Sequence, residues 1–141
     1  MEKDQETLFE QYKILVETTS KISEWRQSTN NFYLAVNTTL IAIATYLVNS
    51  SQKTSLMICL VGIIISILWY ENICSYKKIN KAKFKVIHKM ENELPIGAFS
   101  LEKRHYEGDD CKELTSIERY VPAVFGLLYL IISVGSYFKI L

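Results

Sequence analysis

"ILWYENICSYKKINKAKFKVIHKMENELP", residues 67–95, begins as apolar as a lipid-facing segment and ends lysine-rich, with neither Gly nor Pro before Pro95. Its apolar positions do not stop at Tyr70. They narrow to a stripe at Ile73, Tyr76, Asn80, Phe84, Ile87, Met90 and Leu94, spaced as on one face of a helix. The residue before a proline is disfavoured in α geometry, which sets the end near Glu93. Upstream, the polar "NSSQKT" is the first turn signal, with Thr54 as N-cap. One helix from about Thr54 to Glu93 would run ~60 Å, of which about half would clear a ~30 Å hydrocarbon core. In water its apolar stripe has to be covered.

The rest of the chain fits this reading. At 141 residues it is at most one domain, with 22% charged residues and only slightly positive mean hydropathy. Those averages hide segregation. No Lys, Arg, Asp or Glu occurs in Phe32–Val48, Leu56–Tyr70 or Val121–Phe138. Each run falls a little short of the ~20 residues that span a bilayer, and flanking Thr, Tyr, Trp and Asn complete it at the interface. The competing reading is a soluble bundle with three buried helices. Of 16 Lys and Arg, only Lys53 and Lys139 lie on the far side of these spans, so the positive-inside bias puts the N-terminus in the cytoplasm and the C-terminus outside. All 15 carboxylates share the inner side, which leaves no basic excess for nucleic acid. Residues 1–30 show no signal peptide. Cys59, Cys74 and Cys111 lack CxxC spacing and read as free thiols.

The expected fold is therefore an all-α membrane protein: an amphipathic N-terminal helix and three transmembrane helices, the second extending into the cytoplasm as a long helix. The boundaries are 1–30 for the cytoplasmic helix, 31–49 for the first span and 50–54 for the outer turn. The second span is 55–74, its extension 75–94, the cytoplasmic loop with a short helix 95–119, and the third span 120–139. Leu8, Tyr12, Leu15, Thr19 and Ile22 form a seam widened by Phe9, Val16 and Trp25. Packing of this seam on protein is favoured over a membrane surface, because its acidic residues would be repelled by anionic lipid. In the first span, Ala35, Thr38, Ala42, Thr45 and Asn49 give one face of small or weakly polar groups, suited to close helix packing or to a wet pore wall. Asn37 is an amide in hydrocarbon and must find partners. Cys59, Gly62 and Ser66 give the second span a small face too. Glu71, at the lipid boundary, is expected to pair with Arg26, with Asn30 and Asn31 joining them; the competing reading has both facing headgroup water.

Chemistry finds little support: there is no nucleophile elbow, phosphate loop, zinc signature or EF-hand spacing, and no catalytic, cofactor or metal residue is assigned. His88 and Glu91 lie one turn apart and read as a solvated surface pair, a metal or proton role being the alternative. Ser100 is a cap for a short helix ending near Gly108, and Thr115-Ser116-Ile117-Glu118 fits a capping box ahead of the third span. Pro122 is tolerable in a first turn.

"EWRQSTNNFYLAVNTTL" (24–40), "LWYENICSYKKINKAKFKVIHKMENELP" (68–95) and "SIERYVPAVF" (116–125), in this order and spacing, resemble the bacterial RipA family of octameric membrane proteins over about residues 8–135. The resemblance implies a small inner-membrane protein assembling as a homo-octamer with a cytoplasmic helical portion, and implies no enzymatic activity. Relatives often carry a basic residue where this chain has Cys74, which puts a charge of the inner ring in doubt. A looser similarity, in layout only, is to the two-span SLATT proteins of bacterial defence. Two functions follow as expectations. One is a ring-like scaffold or gated channel-like assembly whose cytoplasmic collar binds a ligand or partner protein; the other is a pore-forming effector triggered by a cytoplasmic signal. An enzyme working through His88, Glu91 and the 95–115 loop is a distant third. The expected partners are copies of the chain, membrane lipid and an unidentified cytoplasmic ligand or protein; no cofactor is expected.

Overall fold

The computed structural model describes residues 2–94, 97–106 and 117–138, with the side chains of 2–4, 103, 104 and 106 left aside. Four helices carry these residues: α1 (Glu2–Leu47), α2 (Gln52–Glu91), α3 (Ala98–Tyr106) and α4 (Tyr120–Phe138). The residues divide into two compact units, one of Met1–Arg26 with Ser75–Lys112, the other of Gln27–Cys74 with Glu113–Leu141.

The N-terminal helix and the first uncharged run, expected as separate segments, form a single helix of 46 residues. Without Gly or Pro before residue 62, nothing obliges the helix to stop at the polar "STNN" of 28–31. α2 is unbroken over 40 residues, as the opening stretch predicts. It starts two residues earlier than expected. Ser51 is the N-cap: its carbonyl accepts the first intrahelical bond from Ser55 N at 3.0 Å, and its hydroxyl bonds Thr54 Oγ1 at 2.7 Å. α2 also ends before the proline exerts its effect, closing with tight bonds from Glu93 N to Met90 O and from Leu94 N to Glu91 O.

The second unit is built inside out relative to a soluble protein. α2 buries Ser55, Cys59, Gly62, Ser66, Trp69 and Ile73, alternating steps of four and three along one seam. α1 meets it with Asn37 and Ala44, and α4 with Pro122, Tyr129, Ile132 and Ser136. Leu, Ile and Val point outward instead: Leu60, Ile64, Ile67, Leu127 and Ile131 are all exposed. Only 28% of the apolar window of α2 and 22% of that of α4 is buried, where the core helix of a soluble protein would be mostly buried. Small residues inside and branched aliphatics outside is what helices need when lipid is the solvent, since close backbone packing replaces the hydrophobic drive. α2 and α4 are the two described helices long and apolar enough to cross a membrane. The shortness of the α1–α2 turn is supported chemically: Ser55 Oγ donates to Ala44 O at 2.9 Å, Val48 N to Thr45 O and Ser51 N to Leu47 O, so orphan carbonyls at the end of α1 find donors.

In the first unit, α1 buries Thr19 and half-buries Leu8, Tyr12, Leu15 and Ile22, while α2 buries Ile87 and Glu91 and half-buries Tyr76, Asn80 and Phe84; Leu94, just past its end, is half-buried too. Phe9 and Trp25, read as wideners of the seam, are exposed in the single chain at 58% and 60%.

Candidate functional site

Two polar clusters stand out, one in each unit. In the first unit the cluster centres on Glu91, only 4% exposed. α3 has Gly97 as its N-cap, shown by the bond from Leu101 N to Gly97 O, so no cap side chain is available there. The Glu91 carboxylate substitutes for it. Oε1 accepts from Phe99 N at 2.7 Å and Oε2 from Ser100 N at 3.0 Å, the two amides a capping side chain would normally serve. The negative charge also lies where the helix dipole favours it. Ser100 Oγ donates to Oε2 at 2.5 Å, Tyr12 OH to Oε1 at 3.2 Å, and His88 Nδ1 lies 3.3 Å from Oε2. Burial by itself would raise the Glu91 carboxyl, but the donors from Ser100, Phe99, His88 and Tyr12 outweigh it and hold the group below its ordinary value. Tyr12 moves the opposite way, raised by burial and then by its bond to, and the charge of, Glu91. Phe99 lies edge-on to Phe84 with centroids 5.8 Å apart, and Tyr12 and His88 flank them.

The expectation of a solvated His88–Glu91 pair is thus corrected: the pair exists, but its carboxylate is buried because it caps a second helix. Ser100 is not the cap either; it occupies the third position of α3 and donates inward. Ser, His and Glu together evoke a hydrolase triad, yet the wiring differs. In a triad the hydroxyl and the carboxylate bond opposite ring nitrogens. Here Ser100 Oγ, 3.0 Å from Nδ1, and Glu91 address the same nitrogen, and the hydroxyl proton goes to the carboxylate. The arrangement ties α1, α2 and α3 together. Among the described residues no three His, Cys, Asp or Glu side chains converge as metal ligands.

In the second unit the cluster centres on Asn37, fully buried. Its Nδ2 donates to Tyr33 O at 2.9 Å; its Oδ1 accepts from Ser66 Oγ and from Tyr129 OH, both at 3.1 Å. Tyr129 OH also reaches Asn37 O at 3.0 Å. The Tyr129 ring packs against Gly62, where an added Cβ would run into Cζ and the ring carbons beside it. One level along, Trp69 stacks on Tyr33 at 5.8 Å and 6°, contacts Phe125, and donates Nε1–H to Asn30 Oδ1 at 2.9 Å. The buried Asn37 amide therefore has its partners. Tyr129 was missed from the sequence, although a lone hydroxyl among aliphatic residues carries the same demand that singled out Asn37.

The other expected positions are placed as follows. Ala35, Thr38, Ala42, Thr45 and Asn49 are exposed, and the Thr38 and Thr45 hydroxyls bond back to Leu34 O and Ile41 O of their own helix. Asn31 and Glu71 are exposed and Arg26 half-buried; Asn30 is engaged by Trp69. Asn80 Oδ1 is buried with no hydrogen-bond partner among the described residues. Cys59 is buried and Cys74 half-buried, both free. Cys111, Thr115 and Ser116 of the capping box, and the end of the short helix near Gly108 lie outside the described residues.

No curated protein and no solved structure matches the chain. A family match covers residues 9–138, nearly its whole length, and includes both polar clusters. Lipid-facing aliphatics, a buried small-residue seam and this match converge: the chain belongs to the octameric membrane protein family (8xMP).

Proposed function

We propose that this protein is a homo-octameric inner-membrane protein forming a ring-like scaffold or gated channel-like assembly, whose first unit is a cytoplasmic collar that binds a ligand or partner, and that it catalyses no reaction. The observation that carries this reading is the family match combined with the inside-out burial of the second unit. Residues 31–49 act as a third span. Their packing along α2 and α4 through Asn37 and Ala44 supports a shared depth with those two helices. The lysine distribution supports a cytoplasmic N-terminus and an external C-terminus. The cap-like wiring of Glu91 supports a structural rather than a catalytic role for the only buried carboxylate among the described residues.

Eight helices spaced ~9 Å apart would surround a hole ~14 Å across once the helix half-widths are subtracted. A hole that wide leaks, so the assembly is gated or filled with lipid. The test is the mass and symmetry of the detergent-extracted particle. An octamer with cyclic symmetry is expected, and a monomer overturns the proposal. The exposed Ala35–Asn49 face keeps a second reading alive, a pore-forming effector. Dye entry on induction in expressing cells would favour it, and intact barriers under every trigger would favour the scaffold.

A further inference from the structure

The first unit leaves apolar residues bare on two helix strips of opposite charge. On α1, Ile14 and Trp25, each 60% exposed, sit on the side that carries Glu6, Glu10 and Glu24. These three carboxylates have no ion-pair partner among the described residues; Glu17, on the same side, is taken by Lys21 at 3.4 Å. On α2, Ile79 at 44% and Val86 at 49% exposure flank Ala82, one face at steps of three and four. Lys78, Lys85 and Lys89 run alongside, exposed and likewise without partners among the described residues. Both strips lie away from the seam that α1 and α2 use within the unit, which runs through Tyr12, Thr19, Phe84, Ile87 and Glu91.

We infer that the acidic Ile14–Trp25 strip of α1 docks on the basic Ile79–Val86 strip of α2 in the neighbouring copy of this chain. The inference rests on the ring reading above and specifies its contact. A closed cyclic assembly needs two different, complementary faces on every subunit, because each subunit presents one to the left and the other to the right. These strips meet that need in both sign and apolarity. Bare Trp, Ile and Val in a charged unit mark a surface that is covered in the assembled state, and the opposed charges fix which strip meets which.

The experiment uses two full-length variants with different affinity tags. One carries Glu6→Lys, Glu10→Lys and Glu24→Lys, and the other Lys78→Glu, Lys85→Glu and Lys89→Glu. Expressed alone, each presents like charges at every contact, and its octamer fraction after mild heating in detergent is expected to fall at least ten-fold. Co-expressed, the reversed α1 strip of one faces the reversed α2 strip of the other, and since eight is even, alternation closes the ring. Native mass spectrometry should then recover octamers with four copies of each. Salt links within one chain could not be repaired this way. Single variants as octameric as the wild type, or variants that stay dissociated when co-expressed, overturn the docking while leaving an octameric wild type in place. A wild type that is not octameric overturns the ring reading itself.

Discussion

Replacing Glu91 with Gln preserves the size of the side chain but turns one of its two acceptor oxygens into a donor. Either rotamer then places an NH2 against a backbone amide. On the Oε1 side it opposes Phe99 N at 2.7 Å, on the Oε2 side Ser100 N at 3.0 Å. The Tyr12 and Ser100 hydroxyls can rotate to accept, and so soften the change; an amide N–H cannot. Orphaning one buried N–H costs ~1–3 kcal/mol, and removing the charge from the helix N-terminus adds ~0.3–1 kcal/mol. At about 2 kcal/mol in total, docking of α3 weakens ~30-fold, because every ~1.4 kcal/mol is tenfold. The loss is local, so hydrogen exchange of the α3 amides reads it better than a global melt. The sign with pH is fixed as well. The folded carboxyl titrates below its ordinary value of 4.5, so its contribution is complete above that pH and is lost as pH falls through the lowered value. Wild-type α3 protection should therefore drop at acid pH, and Glu91→Gln should flatten that dependence. Protection unchanged within about three-fold at neutral pH, or an equal loss spread along α2, would refute the capping role.

Other tests address the second unit and the lipid boundary. Gly62→Ala drives a methyl into the Tyr129 ring, and overpacking of this kind costs ~1–3 kcal/mol; the variant should lose thermal stability in detergent, and in a Tyr129→Ala background, itself destabilised, the same substitution should cost much less. Tyr129→Phe keeps the ring and removes only the hydroxyl that donates to Asn37, so a smaller loss, ~0.6–1.7 kcal/mol, is expected in chemical denaturation from mixed micelles. If Arg26 and Glu71 pair, within a chain or between copies, Arg26→Ala and Glu71→Ala should be non-additive in octamer stability; additive losses would mean that each simply faces headgroup water.

Much of the architecture is legible in residue spacing. The absence of Gly and Pro between Lys53 and Leu94, apart from Gly62, specifies a single long helix, and Asn37 announces its need for partners by standing in a hydrocarbon run. The Glu91 cap was not legible, because its geometry is non-local. Capping patterns look for an acceptor at the N-cap itself, whereas Gly97 supplies none and the acceptor arrives from the end of the preceding helix. The continuity of α1 across residue 30 was not legible either. Ser, Thr and Asn weaken a helix by competing for its backbone, but Asn30 is held by Trp69, and that contact is invisible to propensity.

The seat of Tyr129 over Gly62 also limits how this membrane unit can move. Turning α2 about its own axis by one residue, ~100°, would bring Val61 or Ile63 beneath an aromatic ring that tolerates only a bare α-carbon. The spindle is keyed. The contact therefore holds α2 and α4 of this unit in one rotational register.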